Sequence, residues 1–318
     1  MTPDPVAVAR RLAEEVLLPD AAAVDAADTI PESHLAALDA AGLTGLAAAG
    51  PDLPTRLAVT AALAGGSLAT AFVWLQHQGA LASVTGSPLA HRFAVPLASG
   101  ELRAGVAITA LRGPAPLTVR RAGDDRRLSG EVPWVTGWDR IDLLRVAALD
   151  GDSVVSLLLD ARTAPTLDAV PLALTAARAS GTARIRFDEH PAPADRLISV
   201  VPYADWLAAD PAGLAGNGAL AVGVAARAAA VADSAALADE ASALLTALGT
   251  AETAALPALR AAASELALRA AAAAAVTEGA RSVLAGSTGE RLIREAQFLL
   301  VFGSRPPIRQ ELLTRLGA

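Results

Sequence analysis

The sequence predicts an α+β chain, mostly helical, in three consecutive parts: helices, then an antiparallel β domain, then a helical bundle. Three observations predict it. Residues 1–102 carry apolar side chains at helical spacing. From 103 to 197 they gather into segments of five to eight residues rich in Val, Ile, Leu and Thr between turn signals. From 198 to 318 the chain returns to long Ala-rich stretches. At 318 residues it is about twice the usual length of one compact domain. Apolar residues make up 53% and aromatics only 3%, so Ala, Leu and Val fill the core and disorder is excluded.

In the first part, Val6, Ala9, Ala13, Val16 and Leu17 recur at helical spacing and Pro19 ends that helix. Pro31 and Glu32 open a second helix running to Ala41, stopped by Gly42. A third covers Pro54 to Leu63. Ser67 to Val84, with Phe72, Trp74 and Leu75, reads as a helix buried on most sides, and Ser87-Pro88 opens the next. Strand segments follow: GVAITA, LTVRRA, RRLSGEVPWVTG, IDLLRVAAL, SVVSLLLDA and TARIRF. Turns at Gly123-Asp124-Asp125 and Asp150-Gly151-Asp152 predict hairpins over 120–128 and 149–154. The third part predicts helices over roughly 211–247, 251–285 and 289–302, with a short one after Pro306-Pro307. Small side chains let such helices approach closely, as in a bundle.

Composition removes whole classes of function. The 26 basic residues are all Arg and are outnumbered by 33 acids, giving a net charge of −7 with no basic block, which argues against a nucleic-acid partner. The absence of cysteine removes disulfides, thiolate catalysis and Cys-ligated metals. The acidic, amphipathic N-terminus lacks a secretory apolar core, so a cytoplasmic protein is expected. The apolar run between Asp210 and Arg227 contains Gly213, Gly216, Asn217 and Gly218 and reads as buried helix, with no membrane span expected.

Three segments carry more than fold: LSGEVPWVTG with Trp134 and Thr136, VAITA with Thr109, and ERLIREAQFLLVFGSRPPIRQELL with Arg294, Glu295, Ala296, Gly303 and Ser304. Together with the order of the three parts, they resemble the acyl-CoA dehydrogenase superfamily, as a short, divergent member. The resemblance covers nearly the whole chain. It sets WVTG against the family's flavin-contacting WIT, Thr109 against the Thr of a TEP segment, Thr118 against a later Thr, and REA followed by Gly303-Ser304 against RDA followed by Glu-Gly-Thr. What it implies is FAD as cofactor, a CoA- or carrier-linked acyl thioester as substrate, and an oligomer built on the C-terminal bundle. Trp134 then covers the isoalloxazine ring, and Thr136, two residues along the strand, presents its hydroxyl to the same side. Without the resemblance, Trp134 reads as a core aromatic and Thr136 as a strand former.

The sequence also departs from that pattern. The family's usual base is the Glu directly before Gly-Thr; here it is Phe302, which accepts no proton. Some members place the base near the start of the first long C-terminal helix, where this chain has Asp210, with Asp205 a second choice; the same Asp210 before Pro211 also reads as an N-cap. The RxxFG segment is missing, Val276 and Gly279-Ala280 replace the Gln and Gly pair that reach the flavin's phosphates across a dimer, and ALRGPAPL replaces the thioester-contacting GSD. The base-lacking subunits of actinobacterial heteromeric acyl-CoA dehydrogenases are similar. A self-sufficient homodimeric enzyme, such a hetero-oligomeric subunit, and a flavin-free biosynthetic member all remain open. Among the histidines, His34, His91 and His190 have no metal-ligand spacing, and His77 in FVWLQHQG, flanked by Gln76 and Gln78, is either a core histidine or a residue of the active-site cavity.

Overall fold

The computed structural model describes residues 3–318. It opens with α1 (Pro5–Leu12), which runs on as a π-helical turn to Leu17, then α2 (Ala21–Ala26), α3 (Glu32–Ala40), α4 (Leu46–Ala49), α5 (Leu53–Gly66), α6 (Leu68–Thr85) and α7 (Ala90–Ser99). Local chemistry sets the boundaries. Asp52 accepts the Thr55 N–H at 2.9 Å to start α5 beside Pro54, and Ser67 both ends α5 and caps α6 through the Thr70 N–H.

The strands are β1 (Ala104–Ala107), β2 (Thr118–Ala122), β3 (Asp125–Val135), β4 (Leu143–Asp150), β5 (Ser153–Asp160), β6 (Leu167–Pro171), β7 (Ala183–Ala192) and β8 (Leu197–Pro202). Both expected hairpins form, with Ala122 opposite Asp125 and Asp150 opposite Ser153. The sheet order is β6-β7-β3-β2-β4-β5-β8, with β1 also paired to β4. The sheet is antiparallel as expected in most of its pairings, with parallel pairing added at β4. One edge of that strand is shared by β1 and by the end of β2, both parallel to it, because the chain leaves β1, makes the β2–β3 hairpin and re-enters beside β1 in the same direction. The sheet also runs past 197, since β8 pairs with β5 as far as Pro202. The two unanticipated strands, β6 and β8, are edge strands ending in proline, where a missing N–H is tolerated.

The C-terminal helices are α8 (Tyr203–Ala209), α9 (Leu214–Val231), α10 (Ala235–Thr250), α11 (Leu256–Glu278), α12 (Thr288–Val301) and α13 (Pro306–Arg315). The single helix expected over 211–247 is two. Asp233 takes φ +50°, and Ser234 caps α10 by accepting the Leu237 N–H. One core joins both ends of the chain, from Ala9 and Leu17 through Leu63 and Phe72 to Leu220, Leu266 and Leu299, while the sheet has its own around Leu128, Val146 and Phe187. Tyr203–Val231 is long and apolar enough to cross a membrane by length and composition alone, but 67% of its apolar window is buried inside the protein, as expected of a core helix.

His77 belongs to the packing. Its Nε2 donates to the Leu97 carbonyl at 3.1 Å and its Nδ1 accepts the Ala104 N–H at 3.1 Å, tying α6 to the end of α7 and the start of β1. Gln78 beside it accepts the Ala47 N–H and donates to the Thr44 carbonyl. Both nitrogens of His77 are used, so the ring is held neutral, and burial pulls its pKa down to about 4.

Two outcomes follow for stability. A Cβ at Gly223 would lie 2.2 Å from the Ala61 carbonyl oxygen and 2.8 Å from the Ala64 Cβ. Gly223→Ala is therefore expected to destabilise by about 2–3 kcal/mol in urea melts, although Ala is the better helix former by about 1 kcal/mol, whereas Gly213→Ala, which meets nothing, leaves stability unchanged or slightly raised. For His77, the unfolded ring binds a proton below about pH 6.5 and the folded ring only near pH 4. Its contribution is thus complete above pH 6.5 and falls by about 1.4 kcal/mol per unit down to pH 4. The slope between pH 6.5 and 4 is expected to flatten in His77→Gln, and an unchanged slope would show that other groups carry it.

Candidate functional site

Position 302 lies where α12 stops. Phe302 leaves helical geometry with ψ 128° and Gly303 turns the chain at φ +61°. The Phe302 ring stacks on Phe298 (centroids 5.3 Å apart, planes 7°) and meets Phe72 of α6 edge-on at 4.6 Å. Beneath this corner sits Arg260 of α11, wholly buried with no carboxylate partner. Its Nη2 donates to the Leu299 carbonyl at 2.8 Å and to the Phe302 carbonyl at 3.2 Å, while Nη1 donates to the Ser264 hydroxyl. Burial pulls its pKa down to about 10, and the carbonyl-rich C-terminus of α12 keeps it charged. A Cβ at Gly303 would come within 3.2 Å of Asn217 Nδ2 on α9, so this corner presses close to that helix. Ser304 is half-buried, its N–H donating to the Val301 carbonyl.

Asp210 caps no helix with its side chain. That reading gives way to an ion cluster: Arg112 holds the carboxylate with Nε at 2.9 Å and Nη2 at 2.5 Å, and Arg305 adds Nη1 at 2.9 Å and donates Nη2 to the Asp210 carbonyl at 3.3 Å. Three chain segments meet here: the turn after β1, the turn before α9 and the lead into α13. Both carboxylate oxygens of Asp210 are thus engaged by guanidinium nitrogens. The cation of Arg112 also lies 5.7 Å from the Trp206 ring, itself stacked on Tyr203. Asp205 is exposed on α8.

On the sheet, Trp134 and Thr136 do not share a face. The β3–β7 register shifts between Val132 and Val135, and β3 ends at Val135. Trp134 is thrown outward, 52% exposed, while Thr136 is buried, its hydroxyl accepting from Thr182 at 3.4 Å in a chain that continues to Ser180 at 2.8 Å. Thr109 has its Oγ1 buried with no hydrogen-bond partner. Thr118 is exposed and bonds the Ser129 carbonyl. Arg294 bridges Asp25 and Glu290 and reaches the Thr175 carbonyl, so it joins α12 to α2. Glu295 pairs with Arg291 at 2.9 Å, and burial pushes its carboxyl above the usual range. Val276 is exposed at the end of α11. His34 bonds Thr70 at 2.9 Å, His91 the Pro88 carbonyl at 2.8 Å, and His190 Thr166 at 2.9 Å; no cluster of metal-ligating side chains occurs among the described residues.

The structure therefore joins Asp210 to the 302–305 corner through Arg305 and separates Trp134 from Thr136. Sequence reasoning passed over Arg112 and Arg305. The signal was present, since both stand in segments, ALRGPAPL and FGSRPP, where the family pattern breaks. Two small clefts, one beside Glu295 and one beside His77, have room for about one water each, so neither holds a cofactor or an acyl chain.

No sequence-family model matches the chain, and no curated protein matches it by sequence. Solved structures do match. Glutaryl-CoA dehydrogenase from Mycobacterium smegmatis superposes with a TM-score of 0.86 at 16% identity, covering 99% of this chain and 94% of that one. Butyryl-CoA dehydrogenase from Megasphaera elsdenii gives 0.83 at 16%, covering 99% and 96%. FkbI, for biosynthesis of the methoxymalonyl extender unit of the polyketide FK520, gives 0.75 at 21%, covering 96% and 98%. The neighbours are matched almost end to end, and the chain has the acyl-CoA dehydrogenase fold.

Proposed function

We propose that this chain is a base-lacking subunit of an acyl-CoA dehydrogenase-type flavoprotein, which shares its flavin and its acyl thioester with a second chain of the same fold. The observation that carries this reading is Phe302. By the sequence resemblance it stands where the family has its base, and it packs against Phe298 and Phe72, while the substitute that the resemblance offers, Asp210, is committed to two arginines. Removal of an α-proton needs a free base within hydrogen-bond reach, and neither residue is one.

The residues fit a flavin at one end only. Trp134 offers an exposed flat face for the ring, and the unpartnered Thr109 hydroxyl is a buried group that a ring heteroatom would satisfy. Thr136 is already bonded inside the sheet. For the phosphates, Val276 supplies no side-chain donor where the family pattern places Gln, and Ala280 adds a methyl group where it places the second Gly. A flavin bound at Trp134 supplies hydride acceptance; this chain's part is to cover the ring, and the phosphate contacts fall to the second chain. The self-sufficient enzyme is the other reading, favoured by the same exposed Trp134.

Co-expression with a base-carrying chain of this fold is expected to give a yellow complex, and the chain alone a colourless or weakly flavinated protein. Full flavin in the isolated chain would favour the self-sufficient enzyme. Trp134→Ala is expected to weaken flavin binding about three- to tenfold through lost stacking; undiminished flavin removes Trp134 from the site. In heavy water, the isolated chain is expected not to exchange the α-protons of an acyl-CoA. Phe302→Glu places a carboxylate among aromatic rings, lowers stability by about 1–3 kcal/mol and introduces slow exchange. Fast exchange by the unmodified chain would show a base elsewhere.

A further inference from the structure

The Arg112–Asp210–Arg305 cluster holds two cations and one anion, and none of the ion pairs formed by Arg112 or Arg305 involves another carboxylate. Its donors are not all used. Arg305 Nε is sealed from solvent with no acceptor, and Arg112 engages Asp210 with Nε and Nη2, leaving Nη1. Burial and the neighbouring Arg112 both pull the pKa of Arg305 down, the mark of a site short of negative charge. Asp210 itself shows what the site grips: a planar carboxylate held on both oxygens by the Arg112 fork and on Oδ2 by Nη1 of Arg305. Trp206 forms an aromatic wall beside Arg112, and Arg112 is the most exposed of the three side chains, so a ligand reaches the cluster along its edge. Arg305 follows Ser304 directly, which sets the cluster next to the Phe302–Gly303 corner.

We propose that Arg112 and Arg305 form an oxyanion site for a carboxylate carried on the acyl group, and that Asp210 is the internal carboxylate a ligand competes with. The preferred thioester is then that of a dicarboxylic acid. This rests on the reading that an acyl thioester lies at the 302–305 corner, and binding measurements separate the two. Butyryl-CoA and succinyl-CoA have the same four-carbon acyl chain and differ in a terminal methyl against a carboxylate; free CoA carries the phosphates alone. Calorimetric titration of the chain, with its partner subunit if one is required for flavin, is expected to show succinyl-CoA binding about tenfold tighter than butyryl-CoA. Arg112→Gln brings the ratio near one, and Asp210→Asn, which removes the competitor, tightens succinyl-CoA without changing butyryl-CoA. Equal affinities for the two thioesters, or a preference that survives both Arg112→Gln and Arg305→Gln, overturn the carboxylate site. Free CoA binding as tightly as succinyl-CoA overturns it by assigning the arginines to phosphate. An Asp210→Asn variant that only melts earlier marks a structural ion cluster and overturns it as well. Failure of all three ligands to bind removes the acyl reading of the corner and this inference with it.

Discussion

Close approach of helices with little side chain between them governs this structure. Helix α9 runs through the middle of the helical core, and at Gly223 the backbone of α5 comes so near that a single methyl group would strike the Ala61 carbonyl. Gly218 likewise admits Leu248 of α10, whose methyls would lie 2.8–2.9 Å from an added Cβ. With few aromatics to fill space, the protein gains its buried contact by bringing backbones together, which demands Ala and Gly at crossings and leaves little tolerance for larger residues. The low-complexity look of the C-terminal sequence is the trace of that packing.

How much of this was legible depends on whether the signal was local. Helical spacing, the hairpin turns and the proline and glycine punctuation lie in neighbouring residues, and those elements were readable. The α9–α10 break was not, because it rests on Asp233 entering left-handed geometry in an otherwise unbroken helical pattern. The parallel β1–β4 pairing was not either, since strand direction is decided by how the chain returns after a hairpin. The same divide runs through the site. Phe302, a side chain that accepts no proton, is visible in the sequence, and the structure supplies what surrounds it. Thr136 was misplaced because alternation along a strand was taken to continue through a bulge, and one shifted residue sends a hydroxyl inward. Asp210 was seen as an acid before a proline, while its two arginines stand 98 and 95 positions away.

Two arginines near the same corner, Arg260 buried and Arg305 half-buried, show how charge is handled. Arg260 has only carbonyl and hydroxyl oxygens around it, and the helix terminus it faces supplies the compensating partial charge. Arg305 has a carboxylate, but shares it. The corner at the end of α12 is thus lined by guanidinium groups, one answered by a helix terminus and the other by a shared carboxylate.

The contact between α5 and α9 has a consequence for how the chain folds. Arg227 Nε donates to the Gly65 carbonyl at 2.9 Å across 162 positions of sequence, and the whole sheet is made between them. During synthesis the first seven helices emerge with the face meant for α9 uncovered, and they stay so until the C-terminal third appears. Such long-range closure slows folding and leaves apolar surface open to wrong partners meanwhile. The N-terminal helices are thus not an independent unit. A fragment ending after the sheet would lack the helix on which its own first core is built, and chaperone demand should fall on that intermediate more than on the finished protein.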